Sequence, residues 1–235
     1  RALGLSQPSV SNWERVPAER VIAVETLSGV PRDLLRPDLY APVAAGGDEI
    51  DAARAAEYRL LAALLARAPD AALLTRLARL KGDETPLGMA HIALGEAAAK
   101  ADAAATQREY FHLFIGLGRG EFLPYASYYL TGFLQERPLA AVRRDFAKLG
   151  LARADDRSEP EDHIASLLDA MADLSAGSVG AHGDEKRFFE THLRPWVERF
   201  FSELELSDEA KFYRAVARAG REFMAIEAQA FALPS

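Results

Sequence analysis

Apolar side chains recur at steps of three or four residues along most of the chain, which is the spacing of one face of an α-helix. This spacing predicts a helix that starts at Pro138 and stops at Gly150, with an apolar face made of Leu139, Val142, Phe146 and Leu149. The face of the next helix consists of Ile164, Leu167, Leu168, Met171 and Leu174. No segment shows the alternation of a half-buried strand. The pattern therefore predicts an all-α fold.

Further helices are predicted on both sides of these two. They cover residues 49–68, 70–80, 86–103, 104–115, 184–193, 195–205 and 208–230, and residues 177–183 are predicted to form a loop. The first should bury Ile50, Tyr58, Leu61, Leu64 and Leu65, and the last should bury Phe212, Val216, Ala219, Phe223 and Ile226. About eight or nine helices in one region are typical of a multi-helix bundle.

The first 47 residues are predicted to form a separate helical appendage. Residues 3–14 resemble the turn and second helix of a Cro/YdaS-like helix-turn-helix, in which Gly4 ends one helix, Ser6 caps the next and Pro8 lies in its first turn. Residues 17–27 add a short helix. Because little sequence precedes Gly4 to form a supporting helix, we expect a docking appendage or a relic rather than a DNA reader. Prolines and the glycine pair at residues 46–47 predict a linker, which divides the chain into residues 1–47 and 48–235.

Composition and charge exclude several classes of protein. Apolar residues make up 49% of the 235 residues, which is enough for a large core. The absence of cysteine excludes disulfides and thiolate metal sites, and the net charge of −7 disfavours non-specific binding to nucleic acid. No apolar run approaches the roughly 20 residues of a membrane span, and no signal peptide is recognisable, so we expect no membrane insertion.

One unusual motif occupies residues 110–129, where an aromatic helical run meets a glycine loop, residues 116–120, with the sequence Gly-Leu-Gly-Arg-Gly. The loop does not follow a strand and lacks Gly-Lys-Ser/Thr, so it is neither a dinucleotide loop nor a P-loop. Its glycines instead predict positive φ angles and close backbone approaches. Pro124, Tyr125, Ser127 and Tyr128 follow, and their tyrosines combine apolar area with a hydroxyl, which suits a peptide-binding surface.

A second motif, residues 158–164, reads Ser-Glu-Pro-Glu-Asp-His-Ile. Ser158 and Glu161 have the spacing of a capping box, and Pro160 is compatible with a first helical turn. The carboxylates together with His163 also suit acid–base chemistry, because a neighbouring carboxylate raises the pKa of an imidazole. From spacing alone, capping is favoured over chemistry. The other histidines, including His91 and His112, lack partners at metal-ligand spacing.

The two motifs together resemble the signature segments of the TorD/DmsD family, cytoplasmic chaperones of molybdenum-containing redox enzymes. His192-Leu-Arg-Pro-Trp196 resembles a third segment of that family, although Trp196, Phe200 and Phe201 are predicted to pack inward with His192 at a groove edge. Leu117 stands where the family often has proline. The resemblance implies a client-binding groove that contains Gly116, Gly118, Pro124, Tyr125, Ser127, Tyr128, Glu159, Pro160, Asp162 and His163, with Asp162 and His163 partly exposed beside residues 116–128.

The resemblance also implies a function. It predicts a non-enzymatic cytoplasmic protein that binds the twin-arginine signal peptide, the folded body, or both, of a molybdoenzyme precursor until cofactor insertion. The chain would hold no cofactor of its own, although some relatives are associated with weak guanine-nucleotide binding and the chain could contact the client's molybdenum cofactor. The family includes monomers and domain-swapped dimers. Two alternatives remain: a DNA-binding regulator that uses residues 6–14, and a small-molecule enzyme that uses Asp162 and His163.

Overall fold

A computed structural model describes residues 21–28, 46–151, 159–181 and 183–233. In these ranges the helices are α1 (Val21–Ser28), α2 (Gly46–Ala66), α3 (Ala71–Leu77), α4 (Pro86–Lys100), α5 (Ala103–Tyr110), α6 (Ala126–Thr131), α7 (Arg137–Leu149), α8 (Ile164–Ser175), α9 (Asp184–Phe188), α10 (Val197–Leu206) and α11 (Phe212–Ala232). Two π-helical turns, Phe111–Ile115 and Phe189–Leu193, continue α5 and α9. Among the described residues, β structure is limited to one isolated bridge. The predicted all-α fold is confirmed.

The apolar faces of the two helices with the clearest pattern, α7 and α8, are buried as predicted. All four apolar residues of the α7 face are buried, and the helix ends at Gly150, whose φ of 70° is left-handed. All five apolar residues of the α8 face are buried as well. α11 packs along α10 and α4, and a Cβ at Gly220 would lie 2.2 Å from a ring carbon of Phe201. A side chain at residue 220 would therefore have to displace the buried Phe201 ring.

Two predicted core positions are wrong. Ile50 is 62% exposed and Ile226 is 45% exposed, whereas the neighbouring Glu227 is 1% exposed. Glu227 turns inward because Arg54 donates to both of its carboxylate oxygens, at 2.8 and 2.6 Å, and Tyr58 donates to it at 2.8 Å. A buried carboxylate is tolerated when it is paired and hydrogen-bonded in this way. An apolar stripe does not reveal such a pairing between distant residues.

Helix boundaries differ from the prediction where an aspartate caps a helix. The predicted helices 86–103 and 104–115 are separated at Asp102, whose carboxylate accepts a hydrogen bond from the Ala105 amide at 2.9 Å and starts α5. α5 then ends at Tyr110, and the backbone continues as a π-helical turn through Ile115. Asp70 caps α3 in the same manner.

Backbone contacts group the chain into two compact units, residues 1–52 and residues 53–235. α1 corresponds to the short helix predicted at residues 17–27, while the helix-turn-helix segment of residues 3–14 lies outside the described residues. The predicted linker glycines, Gly46 and Gly47, form the first turn of α2. Within the described ranges, no helix combines the length and the apolar character that a membrane span needs.

Candidate functional site

The two sequence motifs meet through their backbones. Tyr125 and His163 form an antiparallel bridge. The Ala126 amide donates to the Asp162 carbonyl at 3.0 Å, and the Ile164 amide donates to the Pro124 carbonyl at 2.8 Å. The tyrosine segment (residues 124–128) and the acidic segment (residues 159–163) are therefore adjacent, as the sequence predicted.

Asp162 is buried beneath this junction. It is 1% exposed, and its Oδ2 accepts a hydrogen bond from the Ser127 amide at 2.9 Å, so the carboxylate satisfies a backbone donor at the start of α6. The other carboxylate oxygen and the Ser127 hydroxyl are buried without a hydrogen-bond partner among the described residues. The expectation that Asp162 is partly exposed is wrong, because its side chain turns inward to accept a hydrogen bond from the buried Ser127 amide, 35 residues earlier in the sequence.

His163 is also buried, at 5% exposure, and it is the N-cap of α8. Its Nδ1 accepts from the Ala165 amide at 3.2 Å, and its ring lies edge-on to Tyr125 with the centroids 5.1 Å apart. The predicted exposure of His163 is therefore wrong too. The predicted capping box is also wrong, since α8 begins at Ile164 and Glu161 pairs with Arg143 at 2.9 Å. Pro160 precedes the helix, and Ser158 lies outside the described residues.

Tyr125 and Glu159 form the outer layer of the site. Glu159 is exposed and Tyr125 is half-buried, and the Tyr125 hydroxyl donates a hydrogen bond to the Glu159 carboxylate. Burial, together with this hydrogen bond, raises the pKa of Tyr125, so the hydroxyl stays protonated and remains a donor. A phenol and a carboxylate are thus held on the surface directly above the buried Asp162 and His163.

The glycine loop has the backbone features that the sequence predicted. The φ angles of Gly116 and Gly118 are 63° and 93°. A Cβ at Gly120 would lie 2.5 Å from the carbonyl carbon of Phe114, so the loop packs against the backbone of the preceding π-helical turn. Leu117 stands 97% exposed at the tip of the loop. The Arg119 side chain donates to the Tyr128 hydroxyl, with Cζ 5.1 Å from the centre of the ring.

The third motif contributes to the core. His192 is buried and lies 2.9 Å from Asp145 Oδ2, and its carbonyl accepts from Trp196 Nε1 at 2.7 Å. His192 is therefore not a groove-edge residue. Trp196, Phe200 and Phe201 are buried, as predicted.

A cleft beside Tyr128 was not predicted. The tyrosine cleft has a volume of about 260 Å³ and is lined by Glu121, Phe122, Leu123, Tyr128, Tyr129, Gly132, Arg199 and Glu203. Tyr129 donates to Glu203 at 2.9 Å, and Arg199 donates to the other Glu203 oxygen at 2.7 Å. In the sequence, Arg199 and Glu203 form only an i,i+4 pair of a helix surface, and that spacing alone does not point to a cleft.

The histidine and aspartate of the site are engaged by the backbone through Nδ1 and Oδ2, respectively. Across the ranges that the structure describes, no group of three or more His, Asp or Glu side chains is arranged to hold a metal ion. The surface groups of the site are hydroxyls, carboxylates and aromatic rings, and these can bind a peptide through hydrogen bonds, charge and apolar contact.

A family model described as "Nitrate reductase delta subunit" matches residues 80–202. The chain belongs to the TorD/DmsD family. It is 30% identical over 132 residues to Chaperone protein TorD of Vibrio atlanticus, a match that covers 52% of this chain and 61% of that protein. It is also 30% identical over 126 residues to the protein of the same name from Vibrio cholerae, with 49% of this chain and 57% of that protein covered. The chain thus spans about three fifths of the length of these curated relatives.

The fold is also similar to a crystal structure from Archaeoglobus fulgidus, described as that of a proposed redox enzyme maturation protein. The TM-score is 0.53 at 22% sequence identity, and the match covers 73% of this chain and 93% of that chain. At this identity the similarity supports the fold alone. The family match spans both motif segments, because residues 116–128 and 159–163 lie inside residues 80–202.

Proposed function

We propose that this chain is a cytoplasmic chaperone that binds the precursor of a molybdopterin-dependent oxidoreductase and assists cofactor insertion before twin-arginine export. Family membership and the name of the TorD relatives support a chaperone role. The observation that carries the proposal is the junction of the tyrosine and acidic segments, where Tyr125 and Glu159 are held at the surface by buried groups. The proposed activity is binding, not catalysis.

In this proposal the site has two layers with different roles. Tyr125, Tyr128, Glu159 and the exposed Leu117 contact the client peptide. Asp162, His163 and Ser127 lie beneath them and hold the two segments together, while Pro124 and Pro160 provide backbone carbonyls to the junction. Gly116 and Gly118 allow the loop conformation that carries Leu117.

The charge of the chain suits such a client. A twin-arginine signal peptide is basic with an apolar centre, and this chain carries a formal charge of −7. Opposite net charges speed the encounter, and apolar and hydrogen-bonded contacts then determine how long the complex lasts. The exposed carboxylate of Glu159 and the apolar tip at Leu117 offer one contact of each kind.

The test is capture of a molybdoenzyme precursor from the native host by the immobilised full chain, followed by identification of the captured protein. Combining Tyr125→Ala with Glu159→Ala is expected to weaken capture by about tenfold or more, equivalent to roughly 1.4 kcal/mol. Glu96→Ala is the matched control, because Glu96 is an exposed carboxylate on α4 outside the site. Failure of the parent chain to capture any molybdoenzyme precursor would overturn the function. Equal capture by the parent and the double variant would remove these residues from the site.

A further inference from the structure

The tyrosine cleft adjoins the candidate site through Tyr128, and aromatic and acidic side chains meet in it. Phe122, Tyr128 and Tyr129 form aromatic walls, and Glu121 and Glu203 are its two carboxylates. Burial and the hydrogen bond to Glu203 raise the pKa of Tyr129, so its hydroxyl remains a donor and keeps Glu203 in place. Aromatic faces beside carboxylates are a favourable environment for a cation.

Two arginines of the chain contact the tyrosines of the cleft, and of these Arg199 is itself a lining residue whereas Arg119 is not. Arg119 Cζ lies 5.1 Å from the centre of the Tyr128 ring, and Arg199 Cζ lies 5.4 Å from the centre of the Tyr129 ring. Arg199 also donates to Glu203 at 2.7 Å, while Arg119 donates to the Tyr128 hydroxyl. The chemistry of the cleft therefore suits a guanidinium group, since each of the two adjacent tyrosines already contacts one.

The two internal arginines differ in how firmly they are held. Arg199 lies within α10 and is bound to Glu203 one helical turn away. Arg119 is exposed in the glycine loop, and its described contacts are with Tyr128. Of the two carboxylates in the cleft, Glu203 is already paired with Arg199. Glu121 is exposed at the mouth of the cleft and has no ion pair among the described residues.

We infer that the tyrosine cleft is a guanidinium-binding subsite that receives an arginine of the client peptide, which replaces Arg119 on Tyr128 and pairs with Glu121. This inference rests on the proposed function for the identity of the client. It adds the cleft, Glu121 and Arg119 to the surface that recognises the peptide. Arg119 acts as an internal competitor that occupies the ring face until the client binds.

The subsite should prefer arginine to lysine. A guanidinium is planar, it stacks on an aromatic ring and it can donate to a carboxylate and a hydroxyl at once. An ammonium is a compact, strongly hydrated charge that gains less from a ring face. Charge attraction alone would not separate the two, because both residues carry the same charge.

The experiment measures binding of the full chain to a fluorescently labelled peptide with two adjacent arginines before an apolar segment, and to the same peptide with two lysines. We expect the lysine peptide to bind at least about fivefold more weakly than the arginine peptide. Glu121→Gln is expected to weaken binding of the arginine peptide by roughly threefold or more. Arg119→Ala should strengthen binding by about twofold to fivefold, because it frees the ring face of Tyr128. Glu96→Gln, which changes the net charge by the same amount outside the cleft, should leave affinity unchanged.

A second measurement tests arginine binding in the cleft independently of the client peptide. Nα-acetyl-arginine methylamide is titrated into the chain while amide NMR signals are followed, with the lysine analogue as the control. Shifts at Tyr128 and Gly132 with the arginine probe alone support the subsite even if the peptide does not bind, in which case the proposed client is wrong. Binding of the arginine peptide without any effect of Glu121→Gln or Arg119→Ala overturns the subsite and leaves the proposed function standing. An absence of binding by both probes overturns the subsite, while capture of a precursor by the immobilised chain decides the proposed function separately.

Discussion

At the scale of single residues, the site separates side chains that hold the backbone from side chains that meet solvent. Asp162 and His163 are adjacent in sequence and both buried, and each accepts a hydrogen bond from a backbone amide, of Ser127 and Ala165, respectively. Glu159, only three residues before Asp162, is exposed and accepts from Tyr125. Substitutions at Asp162 and His163 should therefore act mainly on stability, and substitutions at Glu159 should act mainly on binding.

Asp162→Ala is expected to reduce the free energy of unfolding by about 1–3 kcal/mol, because it leaves the buried Ser127 amide without its acceptor. Asp162→Asn keeps an oxygen at this position and should cost less. Glu159→Gln is the matched surface control and should change stability by no more than about 0.5 kcal/mol. Urea denaturation measures all three. A loss for Asp162→Ala no greater than that of Glu159→Gln would show that the buried bond contributes nothing.

His192 gives the fold a pH dependence of known sign. Burial lowers the pKa of His192, and the hydrogen bond to Asp145 offsets only part of this effect. His192 therefore binds a proton more readily in the unfolded chain than in the folded chain. As the pH falls through the ordinary histidine pKa of about 6.5, protonation of the unfolded chain lowers the free energy of unfolding. His192→Gln, which keeps a donor for Asp145, should lose less stability than the parent between about pH 7.5 and pH 5.5.

The measurement is the difference in unfolding free energy between parent and variant at each pH. His91, whose pKa is raised through its hydrogen bond to Glu57, has the opposite effect but is present in both proteins and cancels. Parallel pH profiles for the parent and His192→Gln would contradict the prediction.

At the scale of elements, the glycine loop depends on the π-helical turn that precedes it. The Phe122 amide donates to the Leu113 carbonyl at 2.7 Å, and Gly120 lies against the backbone of the same turn. π-Helical turns often occur at functional sites, and this one leads directly into the loop that carries Leu117. The loop is therefore positioned by backbone contacts more than by its own side chains.

Gly120→Ala is expected to destabilise the chain by about 2 kcal/mol or more, because its Cβ would lie 2.5 Å from the carbonyl carbon of Phe114, which cannot yield as a side chain could. Gly118→Ala is the comparison, since a Cβ there meets nothing within 4 Å and adds only left-handed strain of roughly 1–2 kcal/mol. Hydrogen exchange should show faster opening of the Phe122 amide in Gly120→Ala. Equal exchange in both variants would contradict the close-packing argument.

At the scale of the whole molecule, polar contacts join helices that are distant in sequence. Arg54 on α2 pairs with Glu227 on α11 and with Glu185 on α9, at 2.6 and 2.7 Å. Glu109 on α5 accepts from the amides of Lys211, Phe212 and Tyr213 at the start of α11, and so caps a helix about a hundred residues away. All of these residues lie in the unit of residues 53–235.

A shortened chain of residues 48–235 is expected to fold with a cooperative helical melt, because it retains Arg54 and Tyr58 beside Glu227. A chain of residues 60–235 should fail to do so, because it leaves the buried Glu227 carboxylate without both partners, a loss of roughly 3–5 kcal/mol. Circular dichroism against temperature measures both chains. If residues 48–235 are insoluble or melt without cooperativity, the predicted boundary at residue 47 is wrong.

The sequence alone determined the features that depend on neighbours within a few residues. The faces of α7 and α8 and the stop at Gly150 follow from local spacing and backbone preference, so they could be predicted. The two motifs could also be recognised and expected to meet, because the family resemblance assigns them to one groove. The capping box at Ser158 was a plausible local pattern, but a different local bond, from the Ala165 amide to His163, starts the helix.

Only the tertiary structure decided which polar side chains are buried and what they bind. The partner of Asp162 is 35 residues away, and the partner of Tyr58 is 169 residues away. Neither separation leaves a periodic trace in the sequence. The same holds for the tyrosine cleft, where Tyr129 and Glu203 are 74 residues apart. A charged side chain is buried when a distant partner offsets its loss of hydration, and the packing of the helices determines whether that partner is present.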